Sequence, residues 1–108
     1  MIVTVASRHM DLSPALKIHS ETKAAKLTKY YDRIQEIEVV IETAKDQMHV
    51  EMIVNAEHKN VFIANHVDGD AYACIDMCMD KLERQLTDHK KKIRNRKHPE
   101  ESHKPTGI

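Results

Sequence analysis

DAYACIDMCMDKLERQLTDHKKKIRNRK, residues 70–97, contains neither glycine nor proline. Its apolar residues Ala71, Ile75, Met79, Leu82, Leu86 and Ile93 are separated by 4, 4, 3, 4 and 7 positions, the spacing of one helix face. At ~1.5 Å per residue such a helix is about 40 Å long. Its two halves differ in charge. Asp68, Asp70, Asp76 and Asp80 stand at or before the first half, where acids suit the positive end of the helix dipole. From Lys81 onward Lys81, Arg84, Lys90, Lys91, Lys92, Arg94, Arg96 and Lys97 outnumber Glu83 and Asp88. Nothing apolar lies between Leu86 and Ile93. The first half reads as packed on a core and the second as a cationic rod reaching beyond it.

Working back from this helix, the pattern changes period. Val61–Val67 is apolar on both faces, so its register as a strand is open. Met48, Val50, Met52, Val54 and Ala56 alternate with His49, Glu51, Ile53 and Asn55, and Ile37, Val39 and Ile41 alternate with Glu36, Glu38, Val40 and Glu42. Both are half-buried strands. Ser13-Pro14 has the form of a helix start, with Ser as N-cap and Pro in the first turn. That helix is expected to run to Tyr31 on a thin stripe of Leu16, Ser20, Ala24 or Ala25, Leu27 and Tyr31. Ile2–Ala6 is a short β-branched strand. The order β-α-β-β-β-α predicts an α+β fold: a four-stranded mixed sheet with two helices packed on one face and an acidic, wet opposite face. One domain is expected over 1–98, followed by a disordered tail at 99–108, where two of the three prolines fall.

Composition narrows the function. Lys+Arg and Asp+Glu both number 17, yet the charges are segregated. Residues 13–33 and 81–98 are basic and 34–70 are acidic, which predicts a cationic face on a neutral chain. No apolar run reaches the ~20 residues of a membrane span. Cys74 and Cys78 lie one helical turn apart and read as packing residues in a reducing compartment, the cytoplasm. Gly69 and Gly107 are the only glycines, so there is no phosphate loop. The eight histidines are scattered without ligand spacing. No catalytic constellation, cofactor site or metal site is expected. At about 100° per residue, Lys81, Arg84, Gln85, Lys91 and Lys92 share one flank of the long helix, interrupted by Asp88, while Lys90, Arg94 and Lys97 lie on the far side. With few aromatic residues to stack bases, recognition of folded RNA through its backbone fits best.

RHMDLSPAL at residues 8–16, AAKLTKYYDRI at 24–34 and above all YACIDMCMDKLERQLTDHKKK at 72–92 carry a resemblance. Over about residues 1–97 the chain resembles the ribosome hibernation promoting factor family, which includes the ribosome-associated inhibitor also called protein Y. The resemblance implies a fold related to double-stranded-RNA-binding domains. It implies binding to the small ribosomal subunit, in the channel used by messenger RNA and transfer RNA, so that translation stops under starvation or in stationary phase. Carried over by position, the residues facing ribosomal RNA are Lys23 and Lys26 in the first helix and Lys81, Arg84, Gln85, Lys90 and Lys92 in the second. Asp88 stands where lysine is common and Ser7 where glycine is common. Long members add a C-terminal dimerisation domain, which is not expected in this chain. A monomer is therefore expected, one that does not pair ribosomes alone, with a small ribosome-dimerising protein as a further partner. Two rivals stand beside this reading: a module for other structured RNA, and a protein-interaction regulator of an alternative sigma factor using Glu36, Glu38 and Glu42.

Overall fold

The computed structural model describes residues 1–96. The expected tail at 99–108 and Lys97 lie outside the described residues. Strand β1 (Ile2–Arg8) is followed by helix α1 (Pro14–Ala25), β2 (Ile34–Ala44), β3 (Gln47–Ala56), β4 (Asn60–Asp68) and helix α2 (Ala71–Arg96). The sheet order is β1-β2-β3-β4. β1 runs parallel to β2, with Val5 opposite Val39. The other pairs are antiparallel, with Val39 opposite Met52 and Met52 opposite Ala64. The α+β architecture is the one the element order predicts.

Each strand places alternate residues on the helical side. Ile37, Val39, Ile41, Val50, Met52 and Val54 are buried there. β4 settles its open register by turning Phe62, Ala64 and His66 inward and leaving Val61, Ile63 and Val67 about half exposed, at 52%, 47% and 50%. The outer sheet face is therefore acidic along β2 and aliphatic along β4, rather than uniformly acidic. Tight connections hold the meander. Ala44 pairs with Gln47 across a two-residue turn whose Lys45 has φ 58°, the left-handed geometry that favours hairpins. His58 and Lys59 also take positive φ between β3 and β4, where Asn60 Nδ2 donates to Glu57 O at 2.9 Å.

α1 starts as expected: Ser13 Oγ accepts from Leu16 N–H at 3.2 Å, with Pro14 in the first turn. Its stripe is Leu16, Ser20 and Ala24, with Ala25 exposed. Ser20 is fully buried and its hydroxyl donates to Leu16 O at 2.8 Å, so the polar group is satisfied. The helix stops short of Tyr31 and tightens into a 3-10 turn over Lys26–Lys29. α2 begins with Asp70 Oδ1 accepting from Tyr72 N–H at 3.0 Å. Its buried stripe is Ala71, Cys74, Ile75, Cys78, Leu82 and Leu86, and Met79 lies at the margin. Beyond Leu86 the His89 ring packs edge-on against Tyr31 and Phe62, at 5.2 and 5.1 Å.

On the outer face His49 bridges two strands. Its Nδ1 lies 2.9 Å from Glu42 Oε1 and its Nε2 2.9 Å from Asn65 Oδ1. The bond to Glu42, then that to Asn65, raises the His49 pKa above its usual 6.5. The same bond holds Glu42 below its usual 4.5. A raised histidine contributes stability below its unfolded pKa and loses it as pH rises through the folded value. The depressed glutamate contributes above its unfolded pKa and loses it as pH falls.

Two outcomes follow from this packing. Leu86→Ala is expected to cost about 2–5 kcal/mol, read as a lower urea midpoint with an unchanged slope. The stability gap between the wild-type chain and His49→Phe is expected to be widest between the ordinary glutamate and histidine ranges and to shrink as pH rises through the raised His49 value, read from urea midpoints across pH.

Candidate nucleic-acid interface

The predicted basic residues fall into three groups. Lys23 and Lys26 form the first, with Lys29. The 3-10 turn keeps Lys26 and Lys29 in line, because residues three apart eclipse at three per turn. These lysines line a cleft of about 290 Å³ between α1 and α2, with Tyr30 on their side and Asp76, Met79, Asp80 and Glu83 opposite. Lys23 Nζ lies 3.7 Å from Asp76 Oδ1, and His19 Nε2 lies 3.5 Å from the same atom. Such partly exposed pairs contribute about 0–1 kcal/mol. The Glu83 carboxylate, ahead of burial, pushes the Tyr30 phenol up. The lysine-bearing helices do lie side by side, but the flank that α2 turns toward α1 is acidic.

The second group is Lys81, Arg84, Gln85 and Lys92: Lys81 and Gln85 lie over β4, while Arg84, two residues past the buried Leu82, faces away from the sheet. Two of these four already hold protein partners. Lys81 Nζ donates to the carbonyl of Asn65. Gln85 Nε2 donates to the carbonyl of Ile63 at 3.0 Å. β4 is the terminal strand, so both side chains satisfy carbonyls that no neighbouring strand reaches. Arg84 and Lys92 are exposed, with Lys91 beside them.

Lys90 belongs to neither group. With Arg94 and Ile93 it lines a second cleft of about 220 Å³ against Tyr31, Asp32 and Arg33, at the far end of the helical layer. Lys29, Lys91 and Arg94 are exposed basic groups beyond the seven predicted positions. For Lys29 the signal was present in its three-residue spacing from Lys26. For Arg94 it was the four-residue step from Lys90.

The cysteines are packing residues. Cys74 Sγ and Cys78 Sγ donate to Met48 O and Val50 O, each at 3.5 Å. Burial raises the Cys74 thiol and pushes Cys78 up to about 11. Among the described residues no group of three or more His, Cys, Asp or Glu gathers to hold a metal ion. Among them too, no helix is long and apolar enough to cross a membrane.

Residues 3–94 match the model of the family described as sigma 54 modulation protein / S30EA ribosomal protein. The chain belongs to this family. It is similar to the ribosome hibernation promoting factor of Azotobacter vinelandii, at 34% identity over 92 residues, covering 85% of each chain. The ribosome hibernation promoting factor of Escherichia coli K12 is 32% identical over 94 residues, covering 87% of this chain and 98% of the relative. Among solved structures, a ribosomal subunit interface protein from Coxiella burnetii superposes with a TM-score of 0.77 at 28% identity, over 83% of this chain and 98% of that one. The N-terminal domain of protein Y from Thermus thermophilus gives 0.75 at 27% identity, over 82% and 99%. The family resemblance drawn from residues 8–16, 24–34 and 72–92 is thus upheld, and with it the α+β fold of a four-stranded mixed sheet and two helices.

The thiol packing carries its own test. Cys74 and Cys78 are expected to resist a water-soluble thiol reagent in the folded chain and to react together once urea unfolds it, followed by absorbance of the released chromophore. Fast labelling of either thiol in the folded chain contradicts the buried packing.

Proposed function

We propose that the chain docks on the small ribosomal subunit in the cytoplasm and fills the channel that messenger RNA and transfer RNA occupy. Its effect is steric rather than catalytic. The observation that carries the reading is the end of α2. Lys90, Lys91, Lys92 and Arg94 are all exposed in the last described turns, past the point where Leu86 closes the core. Four cations within five positions repel one another, and a polyanion relieves that repulsion. The names of the relatives support the ribosome as the source of the polyanion.

The groups divide the work. Arg84, Lys91 and Lys92 meet phosphates from the exposed surface of α2. Lys26 and Lys29 meet them from the α1 side. Lys23 gives up its pair with Asp76 on binding, which costs little. Lys81 and Gln85 act from within the fold: their bonds hold α2 against β4.

If about six phosphate contacts form, raising salt from about 50 to about 200 mM is expected to weaken ribosome binding roughly a thousandfold. Arg84→Glu with Lys92→Glu is expected to abolish co-sedimentation with ribosomes while the urea midpoint stays near that of the wild-type chain. This pair is preferable to one containing Lys81, whose loss also strips β4. Retained co-sedimentation defeats the proposal and moves attention to the acidic and aliphatic outer sheet face. Binding to a structured RNA that ribosomes fail to compete away favours a general RNA module.

A further inference from the structure

Both helices cover the inner face of the sheet. The outer face carries large aliphatic side chains with nothing packed over them among the described residues. Val61, Ile63 and Val67 stand along β4 at about half exposure, and Ile2, at the opposite border, is 64% exposed. In register Ile63 lies beside Ile53, and Ile53 beside Glu38. Single apolar groups on a surface are ordinary, but a strip of them along one strand marks an interaction surface. A sheet face of this composition is one that another layer buries.

The charge on the same face decides what can cover it. Glu36, Glu38 and Glu42 run along β2, and Glu51 on β3 lies diagonal to both Glu38 and Glu42. The strands offer Arg8 and His49 in return, and both stand opposite Glu42. His49 Nδ1 lies 2.9 Å from Glu42 Oε1. Among the described residues Glu36, Glu38 and Glu51 form no ion pair, and all three are half-buried. Carboxylates crowded on one sheet face repel one another. Cations arriving from outside relieve that repulsion, whereas RNA or an anionic membrane surface adds to it. A second copy presenting the same face sets its own carboxylates against these or against the aliphatic strip.

The spacing of the strips gives the partner its shape. Only β3 separates β2 from β4, so the acidic and aliphatic strips lie about 10 Å apart at ~4.8 Å per strand. That is the width of an α-helix with its side chains. Each strip is about 20 Å long, from Glu36 to Glu42 and from Val61 to Val67, the length of about fourteen helical residues. We propose that the outer sheet face docks a basic amphipathic helix of a partner protein. The apolar side of that helix lies on Ile53, Val61 and Ile63, and its lysines or arginines meet Glu36, Glu38 and Glu51. This surface is separate from the cationic one on the helical layer, and it does not rest on the ribosome reading above.

The test is an NMR titration of the full isotope-labelled chain with three synthetic peptides of about fourteen residues. The first is built of leucine and lysine, with the leucines at helical spacing on one face. The second has the same composition with the leucines scattered round the helix. The third has glutamate in place of lysine. The first is expected to shift the amide signals of residues 36–42, 51–53 and 61–67 and to leave those of 81–94 in place. The second and third are each expected to bind at least about tenfold more weakly. Glu36→Lys with Glu38→Lys is expected to weaken the first peptide about tenfold or more. Val61→Thr with Ile63→Thr, which keeps the β-branched form that suits a strand, is expected to do the same and carries the test if the lysine pair fails to fold. Glu21→Lys with Asp88→Lys, on the helices, makes the same change in net charge as the first pair and is expected to leave the affinity unchanged. A scattered peptide that binds as tightly as the first overturns the proposal. So does a sheet that stays silent at millimolar peptide, or affinity unaltered in both face variants. Self-association through this face, seen by sedimentation and lost in the Glu36→Lys, Glu38→Lys chain, assigns it to a second copy and overturns the proposal too. Ribosome co-sedimentation is read on the same variants and is expected to persist. Its loss in a folded Glu36→Lys, Glu38→Lys chain makes the face part of the ribosome contact and removes the separate partner.

Discussion

The close seat of α2 on β3 and β4 fixes the rest of the molecule. Ala71, Cys74 and Cys78 are small, so the helix comes near enough for the two thiols to reach carbonyls of β3 at 3.5 Å. Close-packed interiors tolerate little freedom at such a contact. Once Leu82 and Leu86 are buried, the rotation of the helix is set. Lys81 and Gln85 then stand over β4, Asp76 and Glu83 face α1, and Lys90 and Arg94 turn toward the loop before β2. Rolling the helix by one residue, about 100°, would carry Glu83 toward the core that Leu82 fills.

This rotation explains how a chain with equal numbers of acids and bases presents separated charge. The carboxylates of α2 are placed where α1 brings its lysines, and the two sets offset each other at short range. The carboxylates of β2 lie on the other side of the sheet. The cations beyond Leu86 have only Asp88 near them along the helix. Neutrality of the whole chain is therefore a poor guide to its far end. Fields at the surface are set by which charges lie within roughly a Debye length, about 8–10 Å at ordinary salt.

Much of the fold was legible because β2 and β3 alternate cleanly and α1 announces its start with Ser13-Pro14. β4 was not, since apolar residues occupy both of its faces. The structure turns Phe62, Ala64 and His66 inward. Ala64 is buried on the side that α2 covers. Cys74 and Cys78 take core places along α2, while Met79, which the spacing put in the stripe, moves to its margin. The end of α1 was misread because helical period alone does not distinguish an α-turn from the tighter 3-10 turn at Lys26–Lys29. Among the basic residues the spacing on α2 put Lys81 and Gln85 on one flank, and both reach β4. It gave no sign that a strand edge lies under Lys81 and Gln85, because that edge comes from residues some sixteen to twenty-two positions earlier in the chain.

The hold of Lys81 and Gln85 on β4 has a consequence for the molecule in crowded solution. An outermost strand with vacant carbonyls and a half-exposed aliphatic face is the kind of margin along which copies of a chain zip into ribbons. Here two long side chains lie across that margin from within the same molecule and occupy two of its acceptors. A further strand adding along β4 would first have to displace these two bonds.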